Sequence, residues 1–550
     1  MSPNQSRSRT APFPRPIDLR RLPWPTPLAR DYCHTYDKLE SFYRGSPVTP
    51  SQWHNTIEAR RASPVNTEAL VGILNTQLCA RGAPAEALAA AERLGQTDAV
   101  AVVTGQQAGL FGGPLFTLFK AVTAIALARR VEMEHSVKTV PVFWIDAEDH
   151  DLDEISSCAV LDSDLELHHI QLDLSAKVGQ PLSSVRLTED IGSILDTLRQ
   201  ILPRTEFSTE IIQGLATCYS TGTGMVEAFA RWLDATLGRH GLVVFDASDS
   251  SAKLLVQSIF DKELQLRGET SRLAAAAGVQ LSNHGYHAQV KPPDDAIALF
   301  KLDGTRRPIR LKGNEFTIGN ELINGEALQH QVRTHPEEFS PNVLLRPIVQ
   351  DTLFPTIAYV SGPNELAYLG QLRQVYECFG VPMPLIYPRL SATIVDRAAV
   401  KFLTRYDVDF ETLQASDDGA LNQLISAQLP SGIGVAIEDA GKHIVKSLEL
   451  IAQEVATVDP TLVGATQTTR ERMERDLRNL KTKIIQAAKR RDETLRRQFN
   501  RTRASLFPTG HSQERSVASI YFLNRYGPNL IKSLLHHLPL EIGQHWLLTI

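Results

Sequence analysis

Ala99-Val-Ala-Val-Val103 is a short apolar run, and Thr104-Gly-Gln-Gln-Ala-Gly-Leu-Phe-Gly-Gly-Pro114 follows it as a glycine-rich turn. Leu115, Phe119, Val122 and Ala126 then recur at helical spacing to about Glu134, and Val140-Pro-Val-Phe-Trp-Ile145 is a second apolar run. An apolar run bounded by turn residues reads as a strand buried on both faces, and helical spacing between two such runs reads as their connection. Strand, loop, helix, strand favours a right-handed crossover and a parallel sheet.

The alternation returns further along. Val226, Phe229, Leu233 and Leu237 form a helix face ahead of the strand Leu242–Phe245, which ends at Asp246. Thr356–Val360 reads as a strand turning through Ser361-Gly-Pro-Asn364 into a helix carrying Leu366, Leu369, Leu372 and Tyr376, with Met383–Tyr387 as the final strand. Strands alternating with helices predict an α/β domain. Residues 281–338, with turn signals at Asp303-Gly304 and Lys312-Gly313-Asn314, read as a β-rich insertion. Beyond it, Ile444, Leu448, Ile451, Val455, Val458 and Leu462, then Met473, Leu477, Leu480, Ile484 and Ala487, alternate in steps near 3.5 on either side of a break near Pro460 and Gly464. That pattern predicts an antiparallel helical hairpin or coiled coil. The expected division is a flexible tail over 1–25, an α/β core over 26–395, a helical coiled-coil domain over 396–510, and a segment over 511–550 that packs back on the core.

Composition bounds the function. At 550 residues, 43% hydrophobic and 22% charged, the chain excludes an extended disordered protein and a disulfide miniprotein. A net charge of −5 points to neither nucleic acid nor membrane, and the basic stretch Arg470–Arg503 carries interspersed acids, as a solvated helix face does. No apolar run is long enough to span a bilayer. The N-terminus lacks an apolar segment of the secretory kind, and its prolines argue against an amphipathic helix. The five cysteines are scattered, with no C-x-x-C pair, which predicts small buried side chains in a reducing cytoplasm.

Three stretches carry chemistry. The loop after the first strand places Thr104, Gly105, Gln106, Gln107, Gly109 and Gly113 where backbone amides approach a ligand and a helix N-terminus favours an anion. Its spacing is neither a dinucleotide fingerprint nor a P-loop. Lys120, in the following helix, suits a carboxylate or phosphate. Second, five acids and one histidine fall within Asp146–Asp153, around the carboxyl end of the second strand. Glu148, Asp149 and His150 stand there as candidates to bind Mg²⁺, act as general base or hold an ammonium group. A solvated acidic turn is the bland alternative, but Trp144 and Ile145 argue for partial burial. Third, Arg346 and Asp351 precede a strand that ends at Gly362 and Glu365, another strand-to-helix corner suited to a substrate carboxylate. Histidine spacing offers no zinc site, and no G-x-S-x-G elbow exists.

The glycine loop Thr104–Pro114 together with Trp144-Ile-Asp-Ala-Glu-Asp-His-Asp151 resembles the cysteine-adding enzyme family of bacillithiol biosynthesis. Gly285–Val290, Arg346–Asp351, Gly362–Glu365, Gln513–Arg515 and Asn524–Pro528 continue the resemblance to the C-terminus. The resemblance implies a Rossmann-like core with insertions, laid out like class I aminoacyl-tRNA synthetases, and a dimerising C-terminal coiled coil. It also implies an amide ligase that joins the carboxyl of L-cysteine to the amine of glucosaminyl-malate, the last step in making that thiol. Because a free carboxylate does not acylate an amine at neutral pH, ATP with Mg²⁺ is the expected activator. In this reading the loop holds substrate or an activating phosphate, the acidic turn orients the amine, and Arg346 and Lys120 clamp carboxylates. The rival readings are a non-catalytic nucleotide- or metabolite-binding coiled-coil protein and a metal-dependent hydrolase built on residues 146–154.

Overall fold

The computed structural model describes residues 13–63, 65–174, 176–414, 418–491 and 493–550. These divide into one unit of residues 13–394 with 513–550 and another of residues 395–512. In chain order the strands are β1 (Arg15–Asp18), β2 (Val100–Gln106), β3 (Thr139–Ile145), β4 (Ser157–Leu161), β5 (Leu167–Gln171), β6 (Val243–Asp246) and β7 (Ala296–Leu302). They continue as β8 (Arg306–Lys312), β9 (Glu315–Ile318), β10 (Glu321–Ile323), β11 (Phe339–Pro341), β12 (Thr356–Ser361), β13 (Leu385–Pro388), β14 (Ser391–Ile394) and β15 (Gln544–Leu548).

The core of the first unit is a parallel sheet in the order β13-β12-β2-β3-β6. Its strands are apolar on both faces: Ala101 and Val103 join one hydrophobic core, Val100 and Val102 the other. Each such buried valine contributes about 1.5–3 kcal/mol, so the sheet must be covered on both sides. The helix Leu115–His135 is one cover, and it is buried nearly all round. The chain runs outward from β2 to β3 and β6, then returns to place β12 on the other side of β2. Strand order therefore reverses between β2 and β12, and the crevice at the carboxyl ends there is where open α/β sheets take ligands.

The β-rich insertion forms an antiparallel sheet, β10-β9-β8-β7-β11, with turns where Asp303-Gly304 and Gly313-Asn314 signal them. It also holds the helix Gly325–Thr334.

Several expectations are corrected. Residues 1–12 of the expected tail lie outside the described residues, and the rest of it is ordered: β1 pairs antiparallel with β15, which buries Ile17. Prolines are compatible with this position because β1 is an edge strand. The strand near Met383–Tyr387 is not the final one, since β14 and β15 follow and pair in parallel. The helix expected from Asn364 to Tyr376 is two helices, Pro363–Leu369 and Arg373–Phe379. All five cysteines are free, but Cys79 is exposed rather than buried.

In residues 395–512, the helices Ser431–Val458 and Leu462–Arg491 form a hairpin. Arg470 lies 3.7 Å from Glu449, while a Cβ on Gly441 would lie 3.5 Å from Leu477, so the helices run antiparallel. The break falls at Asp459–Thr461, and Gly464 lies inside the second helix. Leu450, Ile451, Met473 and Leu480 remain exposed along the pair. Among the described residues no helix is long and apolar enough to cross a membrane.

Candidate functional site

A cavity of about 420 Å³ opens at the carboxyl ends of β2, β3 and β12. Eight of the residues singled out in the sequence line it: Gly105, Gln106, Gln107, Lys120, Asp149, Arg346, Gly362 and Glu365. Gly105 is required by close approach, because a Cβ there would stand 3.0 Å from the Trp144 carbonyl on the neighbouring strand.

Lys120 is held, not free. Its ammonium donates to the Gly105 carbonyl at 2.6 Å and to Gln106 Oε1 at 3.0 Å, and it forms an ion pair with Glu365. Burial lowers the Lys120 pKa against the pull of Glu365. On Glu365, burial acts upward, but the Lys120 ammonium, the Tyr359 hydroxyl and the Gly362 N–H outweigh it and hold the carboxyl below its ordinary range. This network locks the start of the helix Pro363–Leu369 to the end of β2.

Arg346 is 7% exposed. Its guanidinium donates to Gln350 Oε1 at 2.9 Å and the Tyr368 hydroxyl at 3.3 Å, and it lies over the rings of Trp144 and Tyr359. Among the described residues no carboxylate oxygen lies within 4.0 Å of it. Its hydrogen-bond partners are neutral and Asp146 acts on it only from beyond 4.0 Å, so an incoming anion can pair with it directly. The wall supports that reading: with Lys120 paired to Glu365 and Arg389 to Glu514, its other cations Arg306, Arg346 and Arg515 outnumber its other carboxylates Asp146 and Asp149.

The remaining sequence candidates sit elsewhere. Thr104 donates its hydroxyl to the Val360 carbonyl and ties β2 to β12. Gly109 and Gly113 face each other inside the loop and do not line the cavity. The helix N-terminus they precede does not cradle an anion, because the Leu115 N–H donates to the Val517 carbonyl and the Gly113 carbonyl accepts from Ser519. That half of the loop is a docking point for the C-terminal segment. Glu148 is buried and paired with Lys253, whose ammonium donates to Glu148 Oε1 and to the Phe339 carbonyl, each at 2.5 Å. Asp149 accepts from Gln107 Nε2 and from the His150 N–H, each at 2.8 Å. His150 is largely exposed and does not line the cavity. Asp351 is fully buried under the Tyr376 hydroxyl and the Gln350 amide, away from the cavity, and burial raises its pKa. The partners already held by Glu148 and Asp149 also leave the acidic turn a poor metal cage. Among the described residues, the grouping of three suited to an ion is Asp162, Glu166 and His168, on the β4–β5 hairpin.

The sequence marked Asp146 only as the first residue of the acidic run, and Arg306, Tyr359, Tyr368 and Arg389 not at all as wall residues. Asp146 and Arg389 follow directly on β3 and β13, so position at a strand end was the available signal; Arg306 comes from the insertion and had none. Arg389 is fixed by a buried two-point pair with Glu514, at 2.8 and 3.0 Å, which brings the C-terminal segment to the cavity rim. A second hollow of about 180 Å³, lined by Trp24, Ala29, Cys33 and Leu366, shares Gly362–Asn364 with the first. Burial pushes the Cys33 thiol up to about 12.

Residues 16–390 match the family described as "Bacillithiol biosynthesis BshC, N-terminal Rossmann-like domain", and residues 392–550 match its C-terminal coiled-coil domain. Proteins named "Putative cysteine ligase BshC" are similar over nearly the whole chain. The Salinibacter ruber protein is 31% identical over 535 residues, covering 94% of each chain. The Koribacter versatilis protein is 32% identical over 526 residues, covering 95% of this chain and 97% of its own. The Chlorobaculum tepidum protein is 34% identical over 467 residues, covering 80% of this chain and 81% of its own.

Proposed function

The chain belongs to the bacillithiol biosynthesis BshC family, and from that premise we propose that it is a ligase joining L-cysteine to glucosaminyl-malate through an amide bond, the last step of bacillithiol biosynthesis. One observation supports this reading most: the cavity at the β2–β12 switch point is walled by cations, and among the described residues no carboxylate oxygen lies within 4.0 Å of the buried Arg346. Malyl and cysteinyl carboxylates are suitable anions for it, and the side-chain amides of Gln106 and Gln107 offer donors and acceptors to a sugar.

In this reading Arg346 binds and orients a substrate carboxylate, and the Trp144 and Tyr359 rings keep water from the guanidinium. The Lys120–Glu365 pair positions β2 and β12 and does not touch substrate. A nucleoside triphosphate with Mg²⁺ would supply the activation that a free carboxylate lacks. The residues that suit its phosphates are the wall guanidiniums, since the amides of Gly109, Gly112, Gly113 and Leu115 donate to backbone carbonyls of the chain. The enzyme works in the cytoplasm as a homodimer, with the exposed apolar residues of the hairpin helices as the contact.

Incubating the purified protein with cysteine, glucosaminyl-malate and ATP, and measuring the thiol product by mass spectrometry, tests the reading. Product formation that depends on all three is expected. No product, together with an unchanged thiol pool in a deletion strain, refutes it. Light scattering tests the dimer, which Leu450→Glu and Leu480→Glu together should dissociate.

A further inference from the structure

Three carboxylates reach the cavity wall, and two of them are fully engaged. Asp149 accepts at both oxygens, from Gln107 and from the His150 N–H. Glu365 accepts from the Tyr359 hydroxyl at one oxygen and from the Gly362 N–H and Lys120 at the other. Asp146 is different. Among the described residues no donor hydrogen-bonds its carboxylate and no cationic nitrogen lies within 4.0 Å of it, although the residue is half-buried at the end of β3 and shares the wall with Arg346. The Asp146 carboxylate is open to the cavity, so a ligand that brings a donor can pair with it directly. Burial raises the Asp146 pKa, with Arg346 acting against the rise and Asp149 adding to it. A raised pKa is the direction that favours a carboxylate taking up a proton.

We infer that Asp146 receives the amino group of the acyl-accepting substrate, holding it as an ammonium and then taking its proton for amide formation. The inference rests on the ligase reading and specifies its ligand: a primary amine carried on an anionic molecule. The cationic wall selects the anionic groups, and the one carboxylate without a donor selects the ammonium. In the step, the ammonium gives one proton to the Asp146 carboxylate and becomes a free amine. Its lone pair forms the C–N bond to the activated carboxyl carbon, the bond from that carbon to its leaving oxygen breaks, and the second proton departs to solvent. The activated carboxyl is an acyl donor carrying an oxygen leaving group. Glu148 is excluded from this role by its pairing with Lys253, and His150 by its place off the cavity wall.

The test is calorimetric titration of the full-length protein with glucosaminyl-malate and with its N-acetyl derivative, which cannot be protonated. Wild type should prefer the free amine by tenfold or more. Asp146→Asn should reduce that preference to within twofold while binding the N-acetyl derivative as before, and Asp149→Asn should keep the preference. Turnover of Asp146→Asn should fall about 10²–10⁴-fold with KM for cysteine unchanged. A preference retained in Asp146→Asn, or a loss that appears only between cysteine and N-acetylcysteine, overturns the assignment and leaves the ligase reading standing. Failure of wild type to bind either sugar ligand overturns both.

Discussion

Replacing Lys120 with methionine tests the central polar network of the sheet. The methionine keeps the length and apolar stem of the lysine but removes an ammonium that serves Gly105 O, Gln106 Oε1 and Glu365. Lys120 is 2% exposed, and Glu365, 19% exposed at the cavity wall, is left with the Tyr359 hydroxyl and the Gly362 N–H as protein donors. Breaking a fully buried pair from one side costs about 3–5 kcal/mol, because the surviving charge stays desolvated; the access of Glu365 to the cavity places this pair at about 2–3 kcal/mol. The pH dependence has a defined sign. In wild type the Glu365 pKa lies below its usual 4.5, so its contribution is present above that value and is lost as pH falls through the lowered one. Without the ammonium, burial dominates and protonation relieves the orphaned charge, so the deficit of Lys120→Met should be larger at pH 8 than at pH 5. Urea denaturation followed by tryptophan fluorescence at the two pH values measures this. The double variant Lys120→Met/Glu365→Gln, with neither charge, should recover most of the loss. A Lys120→Met protein within about 1 kcal/mol of wild type, or a double variant no better than the single one, would refute the reasoning, since the pair would then not behave as buried.

Gly105→Ala should lower stability by about 1–3 kcal/mol, because its Cβ would press on the Trp144 carbonyl at 3.0 Å and force the two strands apart; the urea midpoint reads this directly. Asp351→Ala should cost about 1–3 kcal/mol by stranding the buried Tyr376 hydroxyl and Gln350 amide, seen as a lower urea midpoint. His545, buried between the Ser391 and Thr393 hydroxyls, has its pKa lowered by burial from 6.5 to about 4. The unfolded chain therefore takes up the proton first, and stability present above pH 6.5 falls by on the order of 3 kcal/mol as pH drops to 4. His545→Gln should flatten that part of the stability profile, as denaturation at pH 4.5 and 7 would show.

The strand-loop-helix-strand unit at residues 99–145 was legible because a parallel strand buried on both faces leaves an unbroken apolar run. The helical hairpin was legible for a similar reason: its seam repeats along each helix. The N-terminal edge strand was not. β1 has little apolar character of its own, and only pairing with β15, more than 500 residues away, makes it a strand. The same distinction holds at the site. Gln106, Gln107, Arg346 and Glu365 stand at strand ends or helix starts, and local pattern marked them as wall residues.

What each charged group does there depends on partners that the sequence does not bring near. Glu148 and Asp149 are neighbours in the chain, yet one is spent on Lys253 and the other on Gln107, while Asp146 keeps an open carboxylate. Lys120 likewise has the spacing of a ligand-binding lysine but is committed to Glu365, on the helix Pro363–Leu369 some 240 residues later. By itself the sequence determined the α/β layout, the coiled-coil tail and the family, because apolar periodicity and motif order are local properties. Only the tertiary structure decided which acids and bases remain available to a ligand, because the energy of a buried charge is set by the partner that folding places beside it.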